Sequence, residues 1–232
     1  MVTQIDKVVI ASCGTMFLTF CIDVRFNSAW TFYANFLITA GLFAYGILKE
    51  DGRSQYLKQS IIFGVVASLT YLPLDWGLAR GAQFILYLRR DFPIIPGAPL
   101  SLVLTRIIAV AVVAYLYHRL IAISVPVFTA AGIVATVVLL GSTILDQLGT
   151  VHYLWLWNST PLGGRYVVDL PRIGSTPVCV PIALLLTFFL CPYYFYKRQH
   201  AIVAGIRCGL FMGTLLFCCF VVFLLFYQVV GV

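Results

Sequence analysis

Charge is what this chain has least of. Asp, Glu, Lys and Arg make up 10% of its 232 residues, against roughly a quarter in a soluble globular domain. With 62% hydrophobic residues and a mean hydropathy of +1.00, a water-exposed surface cannot be built from it. Histidine is equally scarce, at three positions, and forms neither an HExxH pair nor a histidine box. The chain has no Walker or GxGxxG motif for nucleotide phosphates, no DDxxD-like cluster for magnesium diphosphate, and no Lys in its last apolar run for a retinal Schiff base. Cofactor and metal are therefore both expected to be none. The seven cysteines, Cys13, Cys21, Cys179, Cys191, Cys208, Cys218 and Cys219, lie in or beside apolar runs without CxxC spacing. They read as small apolar fillers, not as a disulfide framework or a zinc site.

What the chain does have is long apolar runs. Seven spans, at about 4–22, 30–48, 59–79, 99–121, 123–146, 176–196 and 201–230, are punctuated by short polar stretches. Each is close to the roughly 20 residues that cross a bilayer, and in lipid each must satisfy its backbone as a helix. The expectation is an all-α, polytopic membrane bundle forming one domain over 1–232. The run from Val8 to Ile22 lacks a small-x-small cleavage site after it, so it reads as a retained first helix. The net charge of +7 is scattered over short loops, which suits anionic lipid headgroups and not nucleic acid.

One pattern occurs twice. Leu74-Asp75-Trp76 closes the third run, and its loop ends in Asp91-Phe92-Pro93 and, after five residues, Pro99. Leu145-Asp146-Gln147 closes the fifth run, and that loop ends in Asp169-Leu170-Pro171 and, after five residues, Pro177. The shared D-x-P-x5-P spacing predicts a parallel duplication of helices 3–4 onto 5–6, with repeat units at about 59–121 and 123–196. Both loops exceed the usual helix-to-helix connection, and loops of that length carry function or disorder. Their Trp, Tyr and Pro content argues for function.

Asp75 and Asp146 are the first candidates, because a carboxylate beside hydrocarbon must be paired, protonated or turned to a wet cavity. A carboxyl withdrawn from water keeps its proton more readily, so one of them is a candidate acid. The plain alternative is an ion pair with Arg106, about seven residues into the next helix from the same face. Asp91 and Asp169, each two residues before a Pro, fit turn and cap chemistry as well as catalysis. His152, which has no first-loop counterpart, is either a base or an interfacial polar group. Trp76, Phe84, Tyr87, Tyr153, Trp155, Trp157 and Tyr166 form an interfacial aromatic belt or line a site where a carbocation rests on ring faces. Asn158-Ser159-Thr160 is a glycosylation sequon, meaningful only in a lumenal eukaryotic loop.

Leu145-Asp146, Leu154-Trp155-Leu156-Trp157-Asn158, Tyr166 and Gly174-x-x-Pro177 opening a helix resemble the second conserved region of the membrane carotenoid hydratases of the bisanhydrobacterioruberin type. Asp75, Tyr87 and Gly97-Ala98-Pro99 resemble that family's first region, where Glu is commoner than Asp. The likeness spans roughly residues 70–190 in short motifs, and Val178-Cys179-Val180-Pro181 departs from the family's aromatic-rich opening of the later helix. It implies a cofactor-free enzyme that protonates an isoprenoid double bond and directs water or an internal carbon onto the cation. Small membrane terpene cyclases use comparable acid chemistry. On this reading Asp146 is the acid, Asp75 its partner, Arg106 and His152 tune them, and Trp76, Tyr87, Trp155, Trp157 and Tyr166 contact a lipophilic carotenoid or polyprenyl substrate.

The competing expectation is a non-catalytic transporter or a structural subunit of a larger membrane complex. Gly205, Gly209 and Gly213 make a consecutive GxxxGxxxG that packs either inside the monomer or against a partner as an oligomer face. Transport would need a polar path to both faces, whereas the acids collect on one. The N-terminal face carries Lys7, Lys49, Arg53, Lys58, Arg119, Lys197, Arg198 and Arg207, and the other Arg25, Arg80, Arg89, Arg90, Arg106, Arg165 and Arg172. That near balance, with the second set mostly in long loops, favours a cytoplasmic N-terminus.

Overall fold

The computed structural model describes residues 3–26, 28, 30–48, 54–88, 93–95, 98–151, 153–158, 171–195 and 200–230. Its helices are α1 (Gln4–Phe26), α2 (Trp30–Leu48), α3 (Ser54–Trp76), α4 (Leu100–Ala122), α5 (Val127–Val151), α6 (Cys179–Phe189), α7 (Cys191–Tyr194) and α8 (Ala201–Val230). Six are long and apolar enough to cross a membrane, which makes this a multi-pass membrane protein of all-α class. The sixth apolar run differs from the others. It breaks at Leu190 into α6 and the single turn α7, with Pro192 in the first turn of α7, because a proline offers no N–H to continue the ladder.

Other boundaries depart from the expected spans too, and α1 and α5 run on past their expected ends to Phe26 and Val151. The third helix begins at Ser54, five residues earlier than expected. The fifth begins at Val127, since Pro126 closes the α4–α5 turn through the bond from Ala130 N–H to Pro126 O at 2.8 Å. Ser124 in that turn takes φ +64°.

α3 is the hub, packed on α4 and α8, while α1 lies on α2 and α5 on α6. The glycine stripe of α8 is taken up by α3 of the same chain. A Cβ at Gly205 would meet Val66 and the Phe63 carbonyl, one at Gly209 the Ala67 carbonyl, and one at Gly213 the Leu74 side chain. Gly64 makes the same kind of close approach on the other side of α3, where a Cβ would lie 2.7 Å from the Ile107 carbonyl. Backbone-to-backbone contact of this kind replaces the hydrophobic drive that lipid does not supply. Large apolar side chains such as Trp30, Leu37, Phe128, Leu140 and Val222 face outward, as a lipid-facing surface requires.

The long loops contain strands that the sequence pattern did not announce. The first holds β1 (Ile85–Tyr87), β2 (Pro93–Ile95) and β3 (Ala98–Pro99); the second holds β4 (Trp155–Trp157), β5 (Arg172–Ile173) and β6 (Thr176–Pro177). β2–β3 and β5–β6 are the hairpins that deliver the chain into α4 and α6; the first spans Pro93 to Pro99, and the second begins one residue after Pro171 and ends at Pro177. β1 and β4 pair with each other, antiparallel, with Leu86 opposite Leu156 at the centre. The two loops are therefore joined across a local twofold through that central pair.

Candidate functional site

The two loops leave their helices alike. Gln83 and Tyr153 each stand two residues before a strand and each adopts φ 55°. The next residues, Phe84 and Leu154, are buried anchors whose N–H groups return to the carbonyls of Leu78 and Gly149, both at 2.9 Å. The first strand residue Ile85 comes ten positions after Asp75, but Trp155 comes nine after Asp146. The extra residue is absorbed in a π-helical turn, Gly77–Gly81, closed by Ala82 N–H to Gly77 O at 2.8 Å. A one-residue insertion in a helix has this outcome, and such turns gather at functional sites.

Asp75 is 1% exposed. The Tyr87 hydroxyl donates to its Oδ1 at 2.7 Å and the Arg106 Nη2 to its Oδ2 at 3.0 Å. The guanidinium lies over the Tyr71 ring, 4.3 Å from the centroid. Burial, and then the neighbouring Asp75 carboxylate, push the Tyr87 phenol well above its ordinary value. The expected Asp75–Arg106 pair is thus present, and it engages both oxygens of the carboxyl together with Tyr87.

Asp146 is held differently. Trp155 Nε1 donates to its Oδ1 at 2.6 Å and Trp157 Nε1 to its Oδ2 at 2.8 Å, with the Thr176 hydroxyl beside the same carboxyl. Among the described residues no cation forms a salt bridge with it. The position in α6 that matches Arg106, seven residues beyond the last hairpin proline, is Leu184. Gly149 makes room for the Trp155 ring, which a Cβ there would strike. Gln147 ties the neighbouring hairpin down, accepting from Ser175 N–H at 3.1 Å and donating to Thr176 Oγ1 at 3.1 Å and to the Ile173 carbonyl.

Tyr87 and Trp155 face one another as strand partners, so the donors to the two acids sit side by side. Trp76 is exposed at the end of α3 and contributes no bond to either carboxyl. Asp91, Asp169, His152 and Tyr166 lie outside the described residues. The indole N–H groups were named in the sequence as ring faces, and their role as hydrogen-bond donors to Asp146 was missed. The spacing Asp-x8-Trp-x-Trp was available as a signal, but it becomes informative only once the strand is known.

Beside this centre is a cavity of about 470 Å³ lined by Pro73, Leu74, Gly77, Leu78, Gly81, Ala82, Gly213 and Phe217. Its lining is apolar and includes neither acid. A run of rings leads from it toward Asp146: Phe217 lies 6.4 Å from Phe84, Phe84 stacks on Phe220 at 4.3 Å, and Phe220 is 5.7 Å from Trp157. The chain matches no family model, and no curated protein or solved structure matches it either.

Proposed function

We propose that this protein is an integral membrane enzyme that protonates a double bond of a long isoprenoid, a carotenoid or polyprenyl chain, and lets the cation be hydrated or cyclised. The observation that carries this reading is the apolar cavity joined by aromatic rings to a carboxyl that no cation engages among the described residues. A hydrocarbon chain would lie against Gly77, Gly81 and Phe217, entering from lipid. Asp146 in its neutral form would give its proton to one alkene carbon, whose π pair becomes the new C–H bond. The cation left on the other carbon would be shielded by ring faces. Water then supplies the pair that forms a C–O bond and its oxonium proton returns to Asp146, or an internal double bond forms a C–C bond, which moves the cation to a new carbon that loses a neighbouring C–H proton to Asp146. Asp75, bound to Arg106 and Tyr87, positions the first loop and through β1 the donor strand β4.

The non-catalytic reading has one observation in its favour: Asp75 is fully engaged in an internal pair, as in a scaffold. Expression in a host that makes linear carotenoids or polyprenyl phenols, with extracts compared by mass for wild type and Asp146→Asn, separates the two. New products with wild type and none with the variant support the enzyme. Identical extracts for both count against catalysis on those substrates.

A further inference from the structure

Gln147, the residue after Asp146, reaches the β5–β6 hairpin, and two backbone groups settle which way its amide lies. The Ser175 N–H can only donate, and it donates to Oε1 at 3.1 Å; the Ile173 carbonyl can only accept, and it accepts from Nε2. Oε1 also accepts from the Ser175 hydroxyl at 2.8 Å. The group facing Thr176 Oγ1 at 3.1 Å is therefore the N–H of Nε2, and the hydroxyl oxygen accepts.

A hydroxyl has one hydrogen to give. With Gln147 donating into its oxygen, Thr176 keeps that hydrogen for the Asp146 carboxyl, with which it hydrogen-bonds. Thr176 is 0% exposed and Asp146 7%. The chain from Ser175 through Gln147 and Thr176 to Asp146 thus runs in one direction, and each link polarises the next. Asp146 receives three donors: Trp155 Nε1 on Oδ1, Trp157 Nε1 on Oδ2, and the Thr176 hydroxyl. Charged or titratable groups at the loop end of the elements around it are Asp23 on α1, Tyr87 on β1, Tyr153 before β4, Arg172 on β5 and Cys179 opening α6. Among the described residues none of these bonds to the carboxyl.

The first repeat lacks the chain. Thr176 pairs with Ile173 in its hairpin, and the residue paired with Ile95 at the matching place is Ala98. Trp76 stands where Gln147 does, directly after the acid. Asp75 draws on Tyr87 and Arg106 instead. Donors bond a carboxylate more strongly than a neutral carboxylic acid, so a third donor aimed at Asp146 favours the base that remains once its proton has left.

We propose that Thr176, oriented by Gln147, is a positioning residue that bonds to the Asp146 carboxylate as it forms and so eases the release of its proton. The proposal rests on the reading of Asp146 as the acid. In the step, the Asp146 O–H bond breaks and its proton joins one alkene carbon through the π pair. The O–H electron pair stays on the carboxylate, where the preorganised donors meet it. Thr176 touches the acid and not the substrate.

The test has two arms. In the first, the infrared carboxyl band of Asp146, identified by its loss in Asp146→Asn, is followed against pH in the purified full chain without substrate. Thr176→Val removes the hydroxyl and keeps the shape. The expected band lies at higher frequency and persists to a pH about one unit higher, a tenfold tighter hold on the proton, and Thr176→Ser returns both toward wild type. Gln147→Leu leaves the hydroxyl without its own donor and is expected to move both the same way by less, which keeps the arm decisive where Thr176→Val does not accumulate. A band that stays in place, or that disappears at the same or a lower pH, overturns the donor chain. In the second arm, Thr176→Val is compared with wild type in the carotenoid-producing host. Product is expected to fall at least tenfold, with Thr176→Ser retaining most of it. Undiminished product from an accumulating Thr176→Val overturns the role in proton release. Absence of product from wild type overturns the isoprenoid reading and leaves the infrared arm to decide the donor chain by itself.

Discussion

Tyr87 and Trp157 hold the same place, the third residue of β1 and of β4, and each donates to the Asp in the last two turns of the preceding long helix, at 2.7 Å and 2.8 Å. The frame is common to both loops and the partners differ. In the first, Arg106 supplies a cation; in the second, Leu184 stands at the matching position and a second indole, Trp155, takes the other oxygen. This asymmetry gives two otherwise equivalent carboxyls different partners.

Breaking the first pair is expected to cost stability. Arg106→Met leaves the buried Asp75 without its counter-charge, a loss of about 3–5 kcal/mol, and Asp75→Asn, which leaves the partly exposed Arg106 unpaired, is expected to cost less. The double variant is expected to recover part of it. Thermal unfolding of the purified single and double variants, treated as a cycle, measures the coupling.

If Asp146 is the acid, as proposed, the losses expected around it are of product formation. Gly149→Ala drives a methyl into the Trp155 ring and is expected to displace the indole from Oδ1. Product formation should fall at least tenfold while the protein still accumulates, and the indole fluorescence should shift. Trp157→Phe removes the other N–H together with one ring of a buried indole, and is expected to lower product yield by a similar factor and to cost stability through the space left behind.

Filling the cavity separates substrate access from chemistry. A Cβ at Gly81 meets nothing within 4 Å, so Gly81→Leu is expected to project into the apolar space with little effect on the melting midpoint. Loss of product with an unchanged midpoint supports this cavity as the isoprenoid site; full activity removes it.

The glycine stripe makes a prediction about assembly of the bundle. Gly209→Leu must push α8 off the Ala67 carbonyl, and accumulation in the membrane is expected to collapse. Gly41→Ala, where no atom lies within 4 Å, is expected to be neutral or to stabilise by up to about 1 kcal/mol.

Tyr87 gives a pH dependence. Its phenol is raised above the ordinary value of about 10, so the folded state holds this proton more tightly than the unfolded chain. The associated stability is complete below about pH 10 and is lost as pH rises beyond it. Tyr87→Phe should flatten that alkaline decline in melting experiments.

The bundle was legible in the sequence because apolar length reports directly on lipid crossing. Asp75–Arg106 was legible too, since helix ends at one face fix the depth of both residues. Pro192 was visible, but its effect was not: proline bends some membrane helices and severs others, and α6 is severed. The β1–β4 pairing was hidden for a different reason. Three residues carry too little periodicity to declare a strand, and Ile85, Leu86 and Tyr87 pair with residues seventy positions away. Once that ladder is missed, the indoles of Trp155 and Trp157 can be read only as belt or cation-shielding rings, because nothing else tells which way their N–H groups point.

The antiparallel ladder through Leu86 and Leu156 also makes a clasp between two helical hairpins that are otherwise joined covalently at the tight turn around Ser124. A chain nicked at that turn would keep its halves buckled together on the opposite rim, so the two pieces could be synthesised separately and still meet in register.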